Sequence, residues 1–309
     1  MTLTDLRYLV ALAHERHFGR AAEQCHISQP TLSLAIKKVE ERLGIPLFER
    51  SASEVKITEL GSRIVTQAKK VLAEATLIHE IAAEGKDPLV GPLRLGVIYT
   101  IGPYLLPRLI PGMHILAPHM PLIIREDYTQ NLVEALKRGD IDIIILSLPL
   151  QETGIVTQPV YEEPFRILLP ATHTWTRRSH IPAKDLANEQ EQVLLLGSGN
   201  CFREQVLEVC PDCLRQGSLQ RTLEGSSLET IRHMVATGLG ITVLPSSAAD
   251  ELPAQNSLVN VKPFASPEPS RTIALAWRVT YPRFGAVDVV RQATLESNLP
   301  GVKPIYGRR

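Results

Sequence analysis

A helical pattern of roughly 26 residues follows Thr58, which can cap the helix, and this pattern constrains the fold more than any other feature of the sequence. A helix of that length spans about 39 Å, which is more than a domain of about 60 residues can cover. We therefore expect its apolar side to face a partner helix, so that two chains form a dimer. The apolar residues at helical spacing are Leu60, Ile64, Val65, Ala68, Val71, Leu72, Ala75, Ile78 and Ala82.

The residues before this helix show the pattern of three short helices followed by a hairpin. Ala21 and Ala22 are small enough for two helices to cross closely, and residues 25–28 supply the tight turn after them. Ser28 can cap the third helix, and Gly44 can end it. Two short strands around a polar turn then form a wing. The pattern predicts a winged helix-turn-helix.

The N-terminal end of the third helix carries polar side chains that can reach the edges of DNA bases. Lysines further along the helix can meet phosphates, and two basic residues flank the predicted wing. The alternative is an ordinary three-helix interaction domain, in which Gln29 and Thr31 serve only as capping residues. The residues expected at the DNA are Ser28, Gln29, Pro30, Thr31, Ser33, Lys37, Lys38, Arg50 and Lys56.

The formal net charge is zero, with 33 basic and 33 acidic residues, which argues against nucleic-acid binding by bulk positive charge. DNA binding then depends on locally placed groups and on dimerisation. The N-terminus has no apolar signal region, and the strongest apolar run, Ile141–Leu146, is far shorter than the roughly 20 residues of a membrane helix. We therefore expect a cytoplasmic protein with no membrane partner.

Gly85–Pro88 interrupts the long helix, and strands then alternate with helices. A β-α-β-α-β order predicts a parallel sheet, and the later elements fit two α/β lobes with chain crossings near 160–165 and near 267. Ligands of such folds bind in the cleft at the carboxyl ends of the strands. The predicted strands are 93–98, 122–126, 141–146, 165–169, 193–196, 241–244 and 271–278, and the predicted helices are 103–117, 129–138, 201–210, 227–237 and 284–297.

These patterns divide the 309 residues into three parts. We expect the DNA-binding domain at 1–58, a linker helix and hinge at 59–88, and an effector domain at 89–309. Lobe I of the effector domain is expected at about 89–163 and 268–309, and lobe II at about 164–267.

Three of the four cysteines fall between Cys201 and Cys213. Asn200 can cap a helix that begins at Cys201, where the helix dipole and Arg203 both favour a thiolate. Cys210 is nine residues further on, about 13.5 Å along an unbroken helix, whereas a disulfide needs Cα atoms within about 7 Å. A Cys201–Cys210 bond therefore requires the segment to unwind, which makes it a candidate two-state switch.

Other interpretations of these cysteines are open at this point. Four cysteines are too few for a secreted disulfide scaffold. Cys201 can be a small buried apolar residue, and Cys25, in the predicted turn, is most simply structural. Cys210 and Cys213 form a C-x-x-C pair, but no second pair and no nearby histidine set completes a metal site. We expect no metal and no cofactor.

The sequence of the helix-turn-helix closely resembles that of the LysR-type transcriptional regulators, with many matching positions over about 1–65. The resemblance implies an α/β protein with an N-terminal winged helix-turn-helix, a long linker helix and a two-lobed, periplasmic-binding-protein-like effector domain of type 2. It also implies a homodimer through the linker helix, a homotetramer of two such dimers, and double-stranded DNA and RNA polymerase as partners. The matching positions are Phe18–Ala22, Ile27–Ser33, Ile36, Val39, Glu40, Leu43, Gly44, Leu47–Arg50, Thr58 and Gly61.

The second half of the chain is similar to the OxyR-type peroxide sensors within that family. By this resemblance Cys201 is the thiol that peroxide oxidises, and Cys210 is the thiol that resolves it. The residues that the resemblance places at the peroxide pocket are Thr100, Thr129, Asn200 and Arg271. The similar segments are Thr100–Pro107, Cys201–Arg203, Ser227–Arg232, Met234–Ala236, Gly240–Thr242, Leu244–Pro245 and Arg271–Ile273.

Three positions depart from the pattern of that branch. Asn200 stands where a histidine is usual, and Glu224 stands where a basic residue is expected. Cys213 is an additional thiol that can compete with Cys210 as the resolving residue.

Three functions follow from these observations. The first is an activator of oxidative-stress genes, switched when Cys201 is oxidised and bonds to Cys210. The second is a LysR-type regulator that senses a small anionic metabolite near Thr100, Thr129 and Thr242, with the cysteines as bystanders. The third, a thiol peroxidase with a DNA-binding appendage, has the least support, because the sequence shows no cofactor fingerprint and no phosphate-binding loop. We therefore expect a regulator and not an enzyme.

Overall fold

The computed structural model describes residues 1–50, 55–84, 87–188, 192–211, 227–250 and 258–307. Two compact units are present, one built on Met1–Lys86 and the other on Asp87–Leu136 and Asp140–Arg309. Within the described ranges, no helix combines the length and the apolar character needed to cross a membrane.

The first unit contains three short helices, a hairpin and one long helix, as the sequence predicted. The polar turn expected between the two strands, at 51–54, lies outside the described residues. The elements are α1 Leu3–Glu15, α2 Phe18–Gln24, α3 Gln29–Leu43, β1 Phe48–Arg50, β2 Val55–Ile57 and α4 Glu59–Glu84.

Local side-chain chemistry sets the ends of these helices. His17 Nδ1 accepts two backbone N–H groups at the start of α2, at 3.1 and 3.3 Å. Ser28 Oγ accepts the N–H three residues later at the start of α3, and Gly44 ends that helix with a φ of 70°. Thr58 Oγ1 accepts an N–H in the first turn of α4 at 2.9 Å. The sequence predicted the last three of these roles, and the structure confirms them.

The apolar side of α4 is only partly covered within this unit. Val65 and Ala68 are buried in the core that α4 shares with α1. Leu60, Val71 and Ile78 are exposed, and Ile78 exposes 67% of its surface. The side of α4 that carries Val71 and Ile78 therefore has apolar residues left over for a partner.

The second unit is an α/β structure on one curled sheet of mixed direction. A 3-10 turn at Thr174–Arg177 accompanies its regular elements. The strands are β3 Leu93–Ile98, β4 Leu122–Asp127, β5 Ile143–Ser147, β6 Ile155–Pro170, β7 Val193–Leu194, β8 Ile241–Pro245, β9 Val259–Pro263, β10 Ser270–Arg278 and β11 Lys303–Pro304. The helices are α5 Gly102–Leu116, α6 Thr129–Arg138, α7 Asp185–Asn188, α8 Cys201–Val209, α9 Leu228–Ala236, α10 Ser246–Ala249 and α11 Phe284–Leu295.

The strands follow the order β4-β3-β5-β10-β6-β8-β7, with β9 and β11 also paired to β6. Strand β3 is parallel to β4 and β5, which confirms the parallel arrangement predicted for the β-α-β-α-β segment. Strand β10 is antiparallel to both β5 and β6. The sheet is therefore mixed. The chain forms β7, β8 and β9 first and then returns between β5 and β6 as the antiparallel strand β10.

Strand β6 is much longer than the sequence predicted. Its first part pairs with β10, and its last part, from Phe165, pairs with β8 and β9. Only 165–169 was predicted as a strand. The preceding residues include Pro159 and Pro164, which cannot donate a ladder hydrogen bond. An irregularity between Ile273 and Ala274 of β10, opposite Pro159, accommodates the first of these prolines.

Two separate clusters of buried apolar residues lie on this sheet. The lobe I core contains residues of β3, β5, α5, α6 and α11, such as Leu95 and Ile145. The lobe II core contains residues of β7, β8, α8 and α9, such as Phe165 and Phe202. Both cores also draw on β6, which passes from one lobe to the other. The unit therefore has the predicted two-lobed construction.

Candidate redox site and nucleic-acid interface

Cys201 occupies the first position of α8, directly after strand β7 and a glycine turn. Its thiol is free and half-buried, and the side chain packs against the lobe I core. Thr129 Oγ1, at the start of α6, donates a hydrogen bond to Cys201 Sγ at 3.6 Å. The first-turn N–H groups of α8 add a positive partial charge at this end of the helix. Both features place hydrogen-bond donors or positive partial charge beside the sulfur.

The two neighbours expected to assist Cys201 do so differently from the sequence prediction. Asn200 holds the N-cap position, but its side chain accepts no capping hydrogen bond. Its Nδ2 donates instead to the carbonyl oxygen of Gly197 at 3.2 Å. Arg203 Nη1 donates to the carbonyl oxygen of Leu196 at 2.6 Å. Both side chains therefore brace the turn between β7 and α8, and the expected side-chain cap by Asn200 is wrong.

A cavity of about 300 Å³ opens at the Cys201 thiol between α6 and α8. Thr129 and Asn200 share its wall with Cys201, so the structure brings these predicted residues together. The described wall contains no lysine, arginine or histidine. Carboxylates are the charged groups that line it, and they are Glu134, Glu152 and Glu204.

Thr100 and Arg271 lie in a different cluster and do not line that cavity. Arg271 Nη1 donates to Thr100 Oγ1 at 2.9 Å, and Arg271 Nη2 donates to the Thr100 carbonyl oxygen at 3.0 Å. Arg271 also forms an ion pair with Glu163 at 2.7 Å, and both side chains are completely buried. The other Glu163 oxygen accepts the N–H of Ser247 at 3.1 Å. The cluster is thus saturated by protein groups.

Phe202 connects the two clusters. It follows Cys201 in α8, and the Arg271 guanidinium carbon lies 5.0 Å from its ring centroid, within cation–π distance. Its ring also meets Phe165 of β6 edge-on, at 5.2 Å between centroids. The residue next to Cys201 in α8 therefore packs against the buried Arg271.

Cys210 closes α8 and is buried in the lobe II core, with 1% of its surface exposed. It is disulfide-bonded, whereas Cys201 is a free thiol, so the two are not bonded to each other. The helix between them is intact, as the length argument requires. Cys213 and Glu224 lie outside the described residues. The described chain contains no cluster of potential metal ligands.

Two other residues singled out in the sequence, Cys25 and Thr242, do not line the cavity at Cys201. Cys25 is half-buried at the end of α2, and burial raises the pKa of its thiol, which disfavours a thiolate there. Thr242 is buried in β8, and its hydroxyl donates to the carbonyl oxygen of Leu194 at 2.7 Å. Thr242 therefore ties β8 to β7 and does not line the cavity at Cys201.

Sequence reasoning missed Glu163, Phe202 and Gln205 as site residues. Gln205 Nε2 donates to Ser147 Oγ at 2.8 Å and to the Leu148 carbonyl oxygen at 3.2 Å. These roles depend on cross-strand register and on contacts between lobes, which no local pattern reveals. Glu163 adjoins Glu162 in the sequence, and only the fold shows that Glu163 is the buried one of the two.

The predicted DNA-binding residues cluster at the start of α3 and on the hairpin. Gln29, Pro30 and Thr31 are exposed, and Ser33 is half-buried. The Thr31 hydroxyl is hydrogen-bonded to Ser28 Oγ at 2.7 Å, so both also serve the helix cap. The side chains of Lys37, Lys38 and Lys56 are also exposed. Lys37 Nζ lies 3.6 Å from Glu41 Oε1. The side chain of Arg50 is not described.

Comparison with known proteins identifies the class. The profile of the bacterial regulatory helix-turn-helix proteins of the lysR family matches residues 3–62, and that of the LysR substrate binding domain matches residues 86–298. The chain belongs to the LysR family of helix-turn-helix regulators. These matches confirm the predicted fold class, a DNA-binding winged helix-turn-helix joined to a two-lobed effector domain.

Within this family the chain is similar to OxyR proteins. It is 40% identical over 279 residues to the DNA-binding transcriptional dual regulator OxyR of Escherichia coli K12, covering 90% of each chain. It is 38% identical to the hydrogen peroxide-inducible genes activator of Dickeya chrysanthemi, covering 96% of this chain and 95% of the relative. A full-length OxyR variant structure from Pseudomonas aeruginosa has a TM-score of 0.79 and 48% identity, covering 100% of this chain and 99% of that one.

The buried ion pair leads to a stability prediction. Glu163→Gln leaves the Arg271 cation in the interior without its carboxylate, so we expect the free energy of unfolding to fall by about 3–5 kcal/mol. Urea unfolding followed by tryptophan fluorescence measures it, because both tryptophans, Trp175 and Trp277, lie in the second unit. The double variant Glu163→Gln/Arg271→Met removes both charges and should cost less than the single one. A loss below about 1 kcal/mol for Glu163→Gln would show that the pair does not hold the lobes.

The acidic wall leads to a prediction about the reactivity of Cys201. Glu204 lies three residues after Cys201, on the same side of α8. A charge about 7 Å away in water changes the rate of an approaching anion about threefold. We therefore expect anionic iodoacetate to alkylate Cys201 more slowly than neutral iodoacetamide, and Glu204→Gln to reduce the difference about threefold at low salt. Peptide mass spectrometry measures both products.

Glu208→Gln serves as the matched control for that prediction. Glu208 is exposed on the same helix and does not line the cavity. Its variant should leave the ratio of the two alkylation rates unchanged. Equal effects of the two substitutions would mean that the net charge of the helix, and not the cavity wall, governs access.

Proposed function

We propose that this regulator senses hydrogen peroxide through Cys201 and switches when Cys201 bonds to Cys210. One observation carries the proposal: a free, half-buried thiol at the start of α8 faces a cavity and accepts a hydrogen bond from Thr129. The hydrogen peroxide-inducible activators that resemble the chain support it. So does the similarity to a Corynebacterium glutamicum OxyR mutant with hydrogen peroxide bound, at 29% identity and a TM-score of 0.62, covering 96% of this chain and 92% of that one.

The chemistry takes place in two steps. The Cys201 thiolate attacks one oxygen of the peroxide, the O–O bond breaks, and the leaving hydroxide takes up a proton to become water. Cys201 is then a sulfenic acid. The Cys210 thiol attacks the Cys201 sulfur, an S–S bond forms, the S–OH bond breaks, and a second water leaves with the thiol proton. The Thr129 hydroxyl and the first-turn N–H groups of α8 are the polar groups beside the sulfur on which both steps take place.

The second step requires a large change of shape. The two cysteines stand about 13.5 Å apart along α8, and a disulfide needs Cα atoms within about 7 Å. Because Cys210 is also buried in the lobe II core, helix α8 must unwind before the sulfurs meet. This rearrangement would change the conformation of the effector domain and, through it, the affinity of the helix-turn-helix for DNA.

Two cysteines, Cys210 and Cys213, are candidates for the resolving thiol. Cys210 can act only as a thiol, so its present disulfide must first be reduced. Cys213, three residues further on, is the alternative resolving thiol. We propose Cys210, because the resemblance assigns it that role.

Sensing of an anionic metabolite is the less favoured function. Of the three threonines expected to hold such a ligand, Thr100 is bonded to Arg271 and Thr242 is bonded to Leu194. Both are buried, and neither lines the cavity at Thr129. Glu204, which is exposed and lines that cavity, also repels an anion.

The remaining parts of the proposal concern partners. We infer that the exposed apolar residues of α4 pair two chains into a dimer, and that two dimers form a tetramer on double-stranded DNA. The chain then acts as an activator, with RNA polymerase as a further partner, and works in the cytoplasm where chromosomal DNA is found. It consumes one peroxide per oxidation as a signal and is not an enzyme.

Peroxide treatment of the reduced protein tests the redox proposal. One equivalent of hydrogen peroxide should convert the Cys201 thiol into a disulfide with Cys210, which peptide mapping without reduction detects. Cys201→Ser should abolish the disulfide, and Cys210→Ser should stop oxidation at the sulfenic acid, which dimedone traps. Recovery of unmodified Cys201 thiol after treatment would refute the proposal.

A companion variant separates the two candidate resolving thiols. Cys213→Ser should leave the Cys201–Cys210 disulfide in place. If the disulfide instead forms in Cys210→Ser and is lost in Cys213→Ser, Cys213 is the resolving residue.

The proposed DNA contacts predict two different kinds of loss. Gln29→Ala should weaken binding to a duplex selected from a random pool by about 10- to 100-fold, and should leave random-sequence DNA unaffected, because Gln29 faces bases. Lys37→Ala should weaken both equally and lower the slope of log affinity against log salt by about 1, because Lys37 faces phosphates. Fluorescence anisotropy at several salt concentrations measures both. Equal losses on both duplexes for Gln29→Ala would remove it from base recognition.

A further inference from the structure

One side chain fastens the middle of α8 to the opposite lobe. Gln205 Nε2 donates to Ser147 Oγ at 2.8 Å and to the Leu148 carbonyl oxygen at 3.2 Å. Ser147 is the last residue of β5 and is 3% exposed. The attachment is therefore a shielded link between a lobe II helix and the lobe I sheet.

The position of Gln205 makes this link relevant to the switch. It lies four residues after Cys201 and five before Cys210, in the stretch that must lose its helical form for the sulfurs to meet. Phe202 and Val206, its neighbours on the helix, belong to the lobe II core. Gln205 thus holds the same turn from the lobe I side. Unwinding of this turn therefore has to break contacts with both lobes.

Only the nitrogen of the Gln205 amide is hydrogen-bonded to described residues, and this weakens the attachment. Gln205 Oε1 is buried and has no hydrogen-bond partner within the described part of the chain. An unpaired buried carbonyl is unfavourable and partly offsets the two bonds made by the amide nitrogen. Such a link keeps the helix in place in the thiol form and yet can be released.

We propose that Gln205 is a positioning residue that sets the rate of the resolving step, a proposal that rests on the proposed peroxide chemistry. While Gln205 is bonded to Ser147 and Leu148, α8 stays wound and a Cys201 sulfenic acid persists. When these bonds break, the segment unwinds. The Cys210 thiol then forms the S–S bond as the S–OH bond breaks and water leaves.

A variant on the sheet side tests this without changing α8 or the cavity. Ser147→Ala removes one acceptor of Gln205. We expect disulfide formation to become about threefold to tenfold faster, as the loss of one hydrogen bond allows, with sulfenic acid formation unchanged within about twofold. Rapid quenching of the reduced full-length protein after peroxide addition follows both steps, with dimedone for the sulfenic acid and peptide mapping for the disulfide.

A double-mutant cycle shows whether the effect passes through Gln205. In the Gln205→Ala background, Ser147→Ala should no longer change the rate of disulfide formation, because the bond is already absent. Glu208→Ala, at an exposed position of the same helix, is the matched control and should alter neither step. Thermal unfolding checks each fold, and Gln205→Met, which retains the side-chain length, replaces Gln205→Ala if that variant does not fold.

The outcomes separate this inference from the proposed function. An unchanged resolving rate in Ser147→Ala, or the same acceleration with and without Gln205, overturns the positioning role. Failure of peroxide to oxidise Cys201 in the unaltered protein overturns the proposed function instead. A faster first step in Ser147→Ala would also count against the inference, because it would place the effect on the thiol and not on the helix.

Discussion

The buried ion pair between Glu163 and Arg271 is the interaction on which the effector unit depends. The two residues face each other across β6 and β10, where β6 passes from one lobe to the other. An ion pair without solvent is tolerated only when its remaining hydrogen-bonding groups are satisfied, and Thr100 and Ser247 supply those contacts. The polar cluster therefore joins four chain segments at the boundary between the lobes, and any shift of one lobe must break or carry these bonds.

Helix α8 is shared between the lobes in the same way. Its first residue, Cys201, packs on the lobe I core, whereas the next, Phe202, packs on the lobe II core beneath Arg271. Tyr104 of α5 adds a further link, since its hydroxyl donates to Glu229 of α9 at 3.0 Å, and burial raises the pKa of Tyr104 so that it remains a donor. Cys201 therefore begins a helix that packs on both lobes.

The sequence was most informative where structure is local. The caps Ser28, Gly44 and Thr58 were predicted because a short side chain or a glycine acts within three or four residues of its own position. The parallel strands before residue 147 were predicted from the β-α-β-α-β order of short apolar runs and helical patterns. The start of β6 was not predictable, because its role as a strand depends on pairing with β10, more than 100 residues away in sequence. The orientation of Asn200 was missed because its amide donates to the nearby Gly197 carbonyl instead of accepting a capping N–H.

The sequence by itself determined the helix-turn-helix, the long α4 with its apolar side, the two-lobed α/β unit and Cys201 as the reactive candidate. Each of these follows from residue types and spacings within a short stretch of the chain, so it can be inferred without knowledge of the fold. Only the tertiary structure decided that Thr100 and Arg271 form a buried cluster with Glu163, apart from the cavity at Cys201, and that Gln205 reaches Ser147. Such contacts join residues from 58 to 171 positions apart, and strand register and lobe packing alone bring them within hydrogen-bonding distance.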